Sequence, residues 1–285
     1  MSKVKVFGYA SGNAAEQSDC CMGPIVMESS PYLDSNLISW VGHLFPPNSE
    51  RKLAALSGIK VICNKMAQHT HNAVKVGSKF VVIGGDHSSA IGTWSGAASA
   101  AGGPIGMIWV DAHMDSHTDK SSITKNIHGM CLAALLGAGS VDLTTIMTAE
   151  QKLAPQNVVI IGARNYETEE KELLEKLGVQ IIYMQEVEEN GLANSFQKAL
   201  AIAAANKNGF GISIDVDAFD PMFAPATAIK TSPGINPGDL NIELADYVSD
   251  HEGFLGLEIA EFFPNLDIEQ KTEKTIAAII NSTFS

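Results

Sequence analysis

The 285 residues are 45% hydrophobic and 18% charged, with 25 Gly and 11 Pro, which supplies a sizeable core for one domain over 1–285 and leaves little room for disorder. A net charge of −13 offers no basic surface to nucleic-acid phosphates and is compatible with a cationic small molecule or with plain solubility. No apolar run approaches the ~20 residues of a membrane span. Cys20, Cys21, Cys63 and Cys131 form no CxxC spacing, so reduced thiols in a soluble, cytoplasmic protein are expected.

In chain order, Lys3 and Lys5 sit inside an apolar alternation that runs to Tyr9 with no long apolar segment after it, which predicts a first strand over 4–9 rather than a signal peptide. An irregular stretch over 10–30 follows. Strands are expected at 79–84 and 105–111, then a loop over 116–126, then a strand at 157–162. Glu169 to Leu177 reads as a helix closed by Gly178, and a strand at 179–184 follows it. Ala193 to Asn206 has apolar residues at helical spacing and is ended by Gly209; a strand over 209–216 leads into an irregular stretch over 217–238. After a strand at 254–260, Ile268 to Thr283 places Ile268, Thr272, Ile276, Ile279 and Ile280 on one face and predicts a closing helix. Strands without polar faces alternating with helices indicate an α/β fold, a parallel sheet covered on both sides. The long loops are where a binding site draws its walls.

Four of the strands run directly into acidic or histidine residues. Val81 to Gly85 leads into Asp86-His87, Ile108 to Val110 into Asp111-Ala112-His113-Met114-Asp115, Ile212 to Ile214 into Asp215-Val216-Asp217, and Phe254 to Leu257 into Glu258-Ile259-Ala260-Glu261. Ligand crevices of open α/β sheets lie outside the carboxyl ends of the strands, so these groups converge. If the backbone stays extended, Asp111, His113 and Asp115 point one way, and so do Asp215 and Asp217. With His87 they make four carboxylates and two imidazoles, a charge of about −4 that burial alone does not tolerate. Two divalent cations about 3.5 Å apart balance it. Oxygen and imidazole donors without thiolate favour Mn2+ first and leave Mg2+, Fe2+, Co2+ and Ni2+ open. One histidine after a strand is more often a hydrogen-bonding residue, and a single Asp-x-Asp a turn; three such clusters at one sheet edge point to metal.

Gly84-Gly85-Asp86-His87-Ser88, Asp111-Ala112-His113-Met114-Asp115 and Ser213 to Pro221 resemble, in order and spacing, the three signature motifs of the arginase/agmatinase/formimidoylglutamase family, and the similarity extends from the first strand to Pro264. The resemblance implies a three-layer α/β/α fold with a mainly parallel eight-stranded sheet and two Mn2+ per chain. It makes His87, Asp111, Asp115 and Asp215 ligands of one ion and His113, Asp111, Asp215 and Asp217 ligands of the other, with Asp217 also orienting a bridging hydroxide that attacks the guanidinium carbon. His128 matches the family's proton shuttle and Glu261 the residue that holds the guanidinium. The loop carrying His117, Thr124 and Asn126 has the length of the arginase loop that receives the α-carboxylate. Glu167 and Glu170 match acidic residues that meet the α-ammonium.

Three departures accompany the match. Lys125 stands where the family has Gly and brings an ammonium to the carboxylate loop, Ala226 to Ile229 replaces a Gly-Thr segment, and Phe263 replaces Asn. The resemblance therefore implies arginase activity on L-arginine, with agmatinase and formimidoylglutamase as rivals. A catalytically silent binding protein and a one-zinc deacetylase are readings from other classes, separated by turnover and metal stoichiometry. A homo-oligomer is an expectation carried by the family alone.

Overall fold

Strands and helices alternate through the computed structural model, which describes residues 3–285. In order they are β1 (Val4–Tyr9), α1 (Gly23–Glu28), β2 (Ile38–Leu44), α2 (Leu56–Lys75), β3 (Phe80–Gly84), α3 (Ser89–Ala101), β4 (Ile105–Val110), α4 (Cys131–Leu135), α5 (Val141–Thr144), β5 (Leu153–Ala163), α6 (Thr168–Leu177), β6 (Gln180–Tyr183), α7 (Met184–Asn190), α8 (Leu192–Ala204), β7 (Phe210–Asp215), α9 (Pro237–Tyr247), β8 (Phe254–Ala260) and α10 (Lys271–Phe284). The eight strands form one sheet in the order β2-β1-β3-β8-β7-β4-β5-β6, and every neighbouring pair is parallel.

Both faces of the sheet are buried, which is why its central strands read as unbroken apolar runs. Alternate residues serve opposite layers. Val81 and Ile83 pack with Phe196 of α8, Leu240 of α9 and Ile276 of α10. Phe80 and Val82 pack with Ile59 of α2, Trp94 of α3 and Leu135 of α4. None of the helices among the described residues is long and apolar enough to cross a membrane.

Two expectations are corrected. β2 was not anticipated: at the sheet edge it leaves Ser39, Val41 and Gly42 exposed, so it lacks the apolar run that marks the inner strands. The closing helix begins at Lys271, after a 3-10 turn and a bend, so Ile268 lies outside it and is 56% exposed, while Ile276, Ile279 and Ile280 are buried as expected.

Candidate metal centre

The carboxyl ends of β3, β8, β7 and β4 are contiguous in the sheet, so residues distant in sequence meet there. Gly85 crosses so close to the loop after β1 that a Cβ would strike the Ser11 carbonyl. Asp86 ties the same loop, its backbone N–H donating to Ser11 O at 2.8 Å and its Oδ2 accepting from Ala14 N at 2.9 Å. Burial, with the Glu261 charge behind it, raises the Asp86 carboxyl to about 6. This anchoring fixes His87 just ahead of α3.

The convergence of Asp111, His113 and Asp115 does not come from strand alternation. β4 ends at Val110, and the three residues lie on a loop. His113 N donates to Asp111 Oδ1 at 2.7 Å, and Asp115 takes a left-handed φ of 45°, which turns the chain back over the sheet edge. Asp215 closes β7 and Asp217 sits in the following 3-10 turn, whose N–H bonds Asp215 Oδ1 at 2.9 Å. The aimed side chains are the expected ones; turns aim them.

His87 is wholly buried. Its Nε2 lies 2.9 Å from Ser213 Oγ, and that hydroxyl donates to Glu258 Oε2 at 2.8 Å. Glu258 is buried as well and also accepts from Trp94 Nε1 at 3.0 Å and from Ser89 Oγ. A proton on Nε2 leaves the Nδ1 lone pair facing Asp115 Oδ2, Asp215 Oδ2 and Asp111 Oδ2 at 3.0, 3.2 and 3.4 Å. Despite that proximity Nδ1 has no directed hydrogen bond among the described residues. An imidazole lone pair and three carboxylate oxygens turned to one point form a cation's donor shell. Trp109 stacks on the His87 ring, centroids 4.4 Å apart, and its indole N–H donates to Asp111 Oδ2 at 2.9 Å.

The second half is more open. His113 Nδ1 lies 3.0 Å from Asp217 Oδ2 and 3.6 Å from Asp111 Oδ1, and its Nε2 is 3.2 Å from Asn165 Nδ2. The two donor sets are thus His87, Asp111, Asp115 and Asp215, and Asp111, His113 and Asp217. Asp111 belongs to both, while Asp215 falls in the first and accepts the Asp217 N–H on its Oδ1. Burial, followed by the Asp217 and Asp111 charges, drives the Asp215 carboxyl well above the usual range. Asp217 is also raised, by burial above all. Carboxyls that resist ionising beside one another mark a site whose charge balance calls for cations, so the residues present fit a pair of divalent ions.

A cavity of about 230 Å3 opens onto these groups. At its floor Glu261, left-handed at φ 65°, accepts the His87 backbone N–H on Oε1 at 2.9 Å, with His128 Nδ1 3.1 Å from the same oxygen. Burial opposes charging His128, but the Glu261 carboxylate prevails and raises it to about 9. Burial likewise opposes ionising Glu261, and the His128 charge and hydrogen bond hold it below the usual carboxylate value.

His117, Thr124, Asn126, Glu167 and Glu170 all line the same cavity. His117 Nε2 pairs with Glu167 Oε2 at 2.9 Å. Asn126 buries its Oδ1 without a partner among the described residues. Glu170 is engaged by backbone, accepting from Ser116 N at 3.1 Å and Glu167 N at 3.0 Å in the capping box of α6. Lys125 does not reach the cavity: its Nζ donates to Asp119 O at 2.8 Å. Its φ of 62° is the conformation that favours glycine.

Ser213 and Glu258 were singled out by position in the sequence but given no role, and Trp109 was given none either; all three support the donors. Cys131 also went unread: its Sγ is 3.3 Å from Asp115 Oδ2, and it groups with His87 and Asp115 as a further set of possible donors. Only the polar residues inside otherwise apolar strands, Ser213 and Glu258, left a readable signal.

The family model described as "Arginase family" matches residues 17–285. An arginase of Brevibacillus brevis is 36% identical over 220 residues, 77% of this chain and 73% of its own. The crystal structure of Bacillus caldovelox arginase superposes with a TM-score of 0.93 at 29% identity, covering 100% of this chain and 99% of that one. Formimidoylglutamase of Bacillus subtilis, at 19% identity and a TM-score of 0.81 over 99% and 86% of the two chains, shares the fold.

Proposed function

This chain belongs to the arginase family, and from that premise we propose that it hydrolyses L-arginine to L-ornithine and urea with two Mn2+ at the His87 and His113 donor sets. The observation that carries the reading is one cavity lined by donor residues and Glu261 together with His117, Asn126 and Glu167. That layout matches a guanidinium at one end of a substrate and an amino-acid zwitterion at the other.

When bound, such ions supply the Lewis acidity that brings a water near neutral pKa and makes it nucleophilic. The protein's part is to place the guanidinium carbon and manage protons. Glu261 Oε1 is held by His87 N and His128, while Oε2 takes no hydrogen bond from the described residues and is free for a guanidinium N–H. Asp217, beside His113, would help hold the ions and orient the attacking water. His128, raised to about 9 by Glu261 in the metal-free protein, would pass a proton to the departing amine, so that ornithine leaves as a neutral nitrogen rather than an amide anion. At the far end, Thr124 and the Asn126 amide turned to present its NH2 donate to the α-carboxylate, and Glu167 accepts from the α-ammonium.

Against agmatine, which lacks the carboxylate, these groups stay unpaired at ~1–3 kcal/mol each. Two such losses correspond to about 10²–10⁴-fold in kcat/KM. The test is urea release from arginine and agmatine, and formamide release from formimidoylglutamate, after incubation with Mn2+. Equal rates on arginine and agmatine reject selection through the α-carboxylate, and turnover of agmatine or formimidoylglutamate without arginine rejects arginine as the substrate.

A further inference from the structure

Cys131 opens α4, and its thiol reaches the His87 half of the centre. Sγ donates to Asp115 Oδ2 at 3.3 Å, and His87, Asp115 and Cys131 offer ligand atoms that all lie within 4.8 Å of one another. Donors sharing one ion at about 2.0–2.3 Å are no more than about 4.5 Å apart, close to the 4.8 Å that bounds this trio. A second observation points the same way: His87 Nδ1, wholly buried and without a directed partner, is aimed at this corner. His87 and Cys131 are wholly buried, and Asp115 is buried at the cavity wall.

We propose that His87, Asp115 and Cys131 form a thiophilic seat that takes Zn2+ or Cd2+ and overlaps the oxygen-rich seat completed by Asp111 and Asp215. The inference rests on the metal-centre reading above. Hard Mn2+ goes to the carboxylate side, whereas sulfur draws the softer ion. Because His87 and Asp115 belong to both sets, one ion excludes the other. Coordination exchanges the Cys131 S–H bond for an S–metal bond, the proton leaves to solvent, and no electron is transferred. A thiophilic ion therefore displaces Mn2+ from the His87 half and leaves His113, Asp111 and Asp217 as they were.

The test is a Cd2+ titration of metal-free protein, read as near-ultraviolet sulfur-to-cadmium absorption, for wild type, Cys131→Ser and Cys131→Ala. Mn2+ content is measured in parallel by elemental analysis. Wild type is expected to show a saturating absorption step that excess Mn2+ reverses. Both variants should lose that step and bind Cd2+ at least about 10-fold more weakly, while still taking up Mn2+, which shows that their centre is folded. Absorption shared by wild type and variants comes from Cys20, Cys21 or Cys63 and overturns the proposal, as does a step that Mn2+ leaves untouched. Uptake of Mn2+ by all three proteins with no Cys131-dependent step removes the thiophilic seat alone. Failure of wild type to bind either ion removes the metal-centre reading with it.

Discussion

The two halves of the candidate centre are built on opposite terms. His87 is 0% exposed and His113 20% exposed at the side chain. Behind His87 stands a buried chain of Ser213, Glu258, Ser89 and Trp94; at the outer nitrogen of His113 the described residues offer only the Asn165 amide. A ligand whose outer nitrogen is fixed holds its tautomer and direction, so affinity depends on groups that never touch the ion. The difference teaches that one seat is preorganised by the core and the other is left adjustable at the cavity wall, where substrate arrives.

Asp111 joins the halves, so its loss should have the largest effect. Asp111→Ala is expected to lower metal content below two ions per chain and abolish urea release; two ions retained in the variant would break the shared-ligand assignment. Next, His128→Asn should keep both ions yet reduce kcat by about 10²–10⁴-fold, and an unchanged kcat would return His128 to a purely structural partner of Glu261. The same variant reports on pH in metal-free protein. His128 is raised from 6.5 to about 9 by Glu261, so its stabilisation is fully present below pH 6.5 and lost as pH rises through about 9. The slope is at most about 1.4 kcal/mol per pH unit. Denaturant midpoints of wild type should fall over that window more than those of His128→Asn.

Ser213→Ala sharpens the comparison itself. It should weaken metal binding in the His87 half by about 10–100-fold and leave the His113 half unchanged, whereas Asn165→Ala should act on the His113 half alone; equal effects on both seats would show that burial does not separate them. The smallest effect belongs to Lys125→Gly. Relief of the left-handed backbone should stabilise the chain by about 0.5–1 kcal/mol, seen as a raised melting temperature, with KM for arginine unchanged because the ammonium bonds Asp119 O outside the cavity. A raised KM would put Lys125 back at the substrate.

What could be read from the sequence follows the same division. His87, Asp111, His113, Asp115, Asp215, Asp217 and Glu261 sit next to buried apolar runs, and local order alone brings them to one sheet edge. β2 was illegible because an edge strand with exposed Ser39 and Val41 has no apolar signature. Cys131 was illegible for another reason: its nearness to Asp115 depends on a loop returning from the cavity wall, with Leu132 N bonding Asp115 O at 2.9 Å, and no local pattern encodes a return. Asp111, His113, Asp115, Asp215 and Asp217 do meet at one sheet edge, but through the turns at Asp115 and Asp217 and not through strand alternation.

The strand order carries a consequence for how the molecule assembles. β8, the last strand in chain order, lies between β3 and β7, pairing Val82 with Glu258 on one side and Ile212 with Leu257 on the other. Until it inserts, β2-β1-β3 and β7-β4-β5-β6 are two half-sheets with no ladder between them, and His87 has neither Glu258 behind it nor Glu261 beside it. β8 is thus the strand that joins the two half-sheets and brings Glu258 and Glu261 to His87.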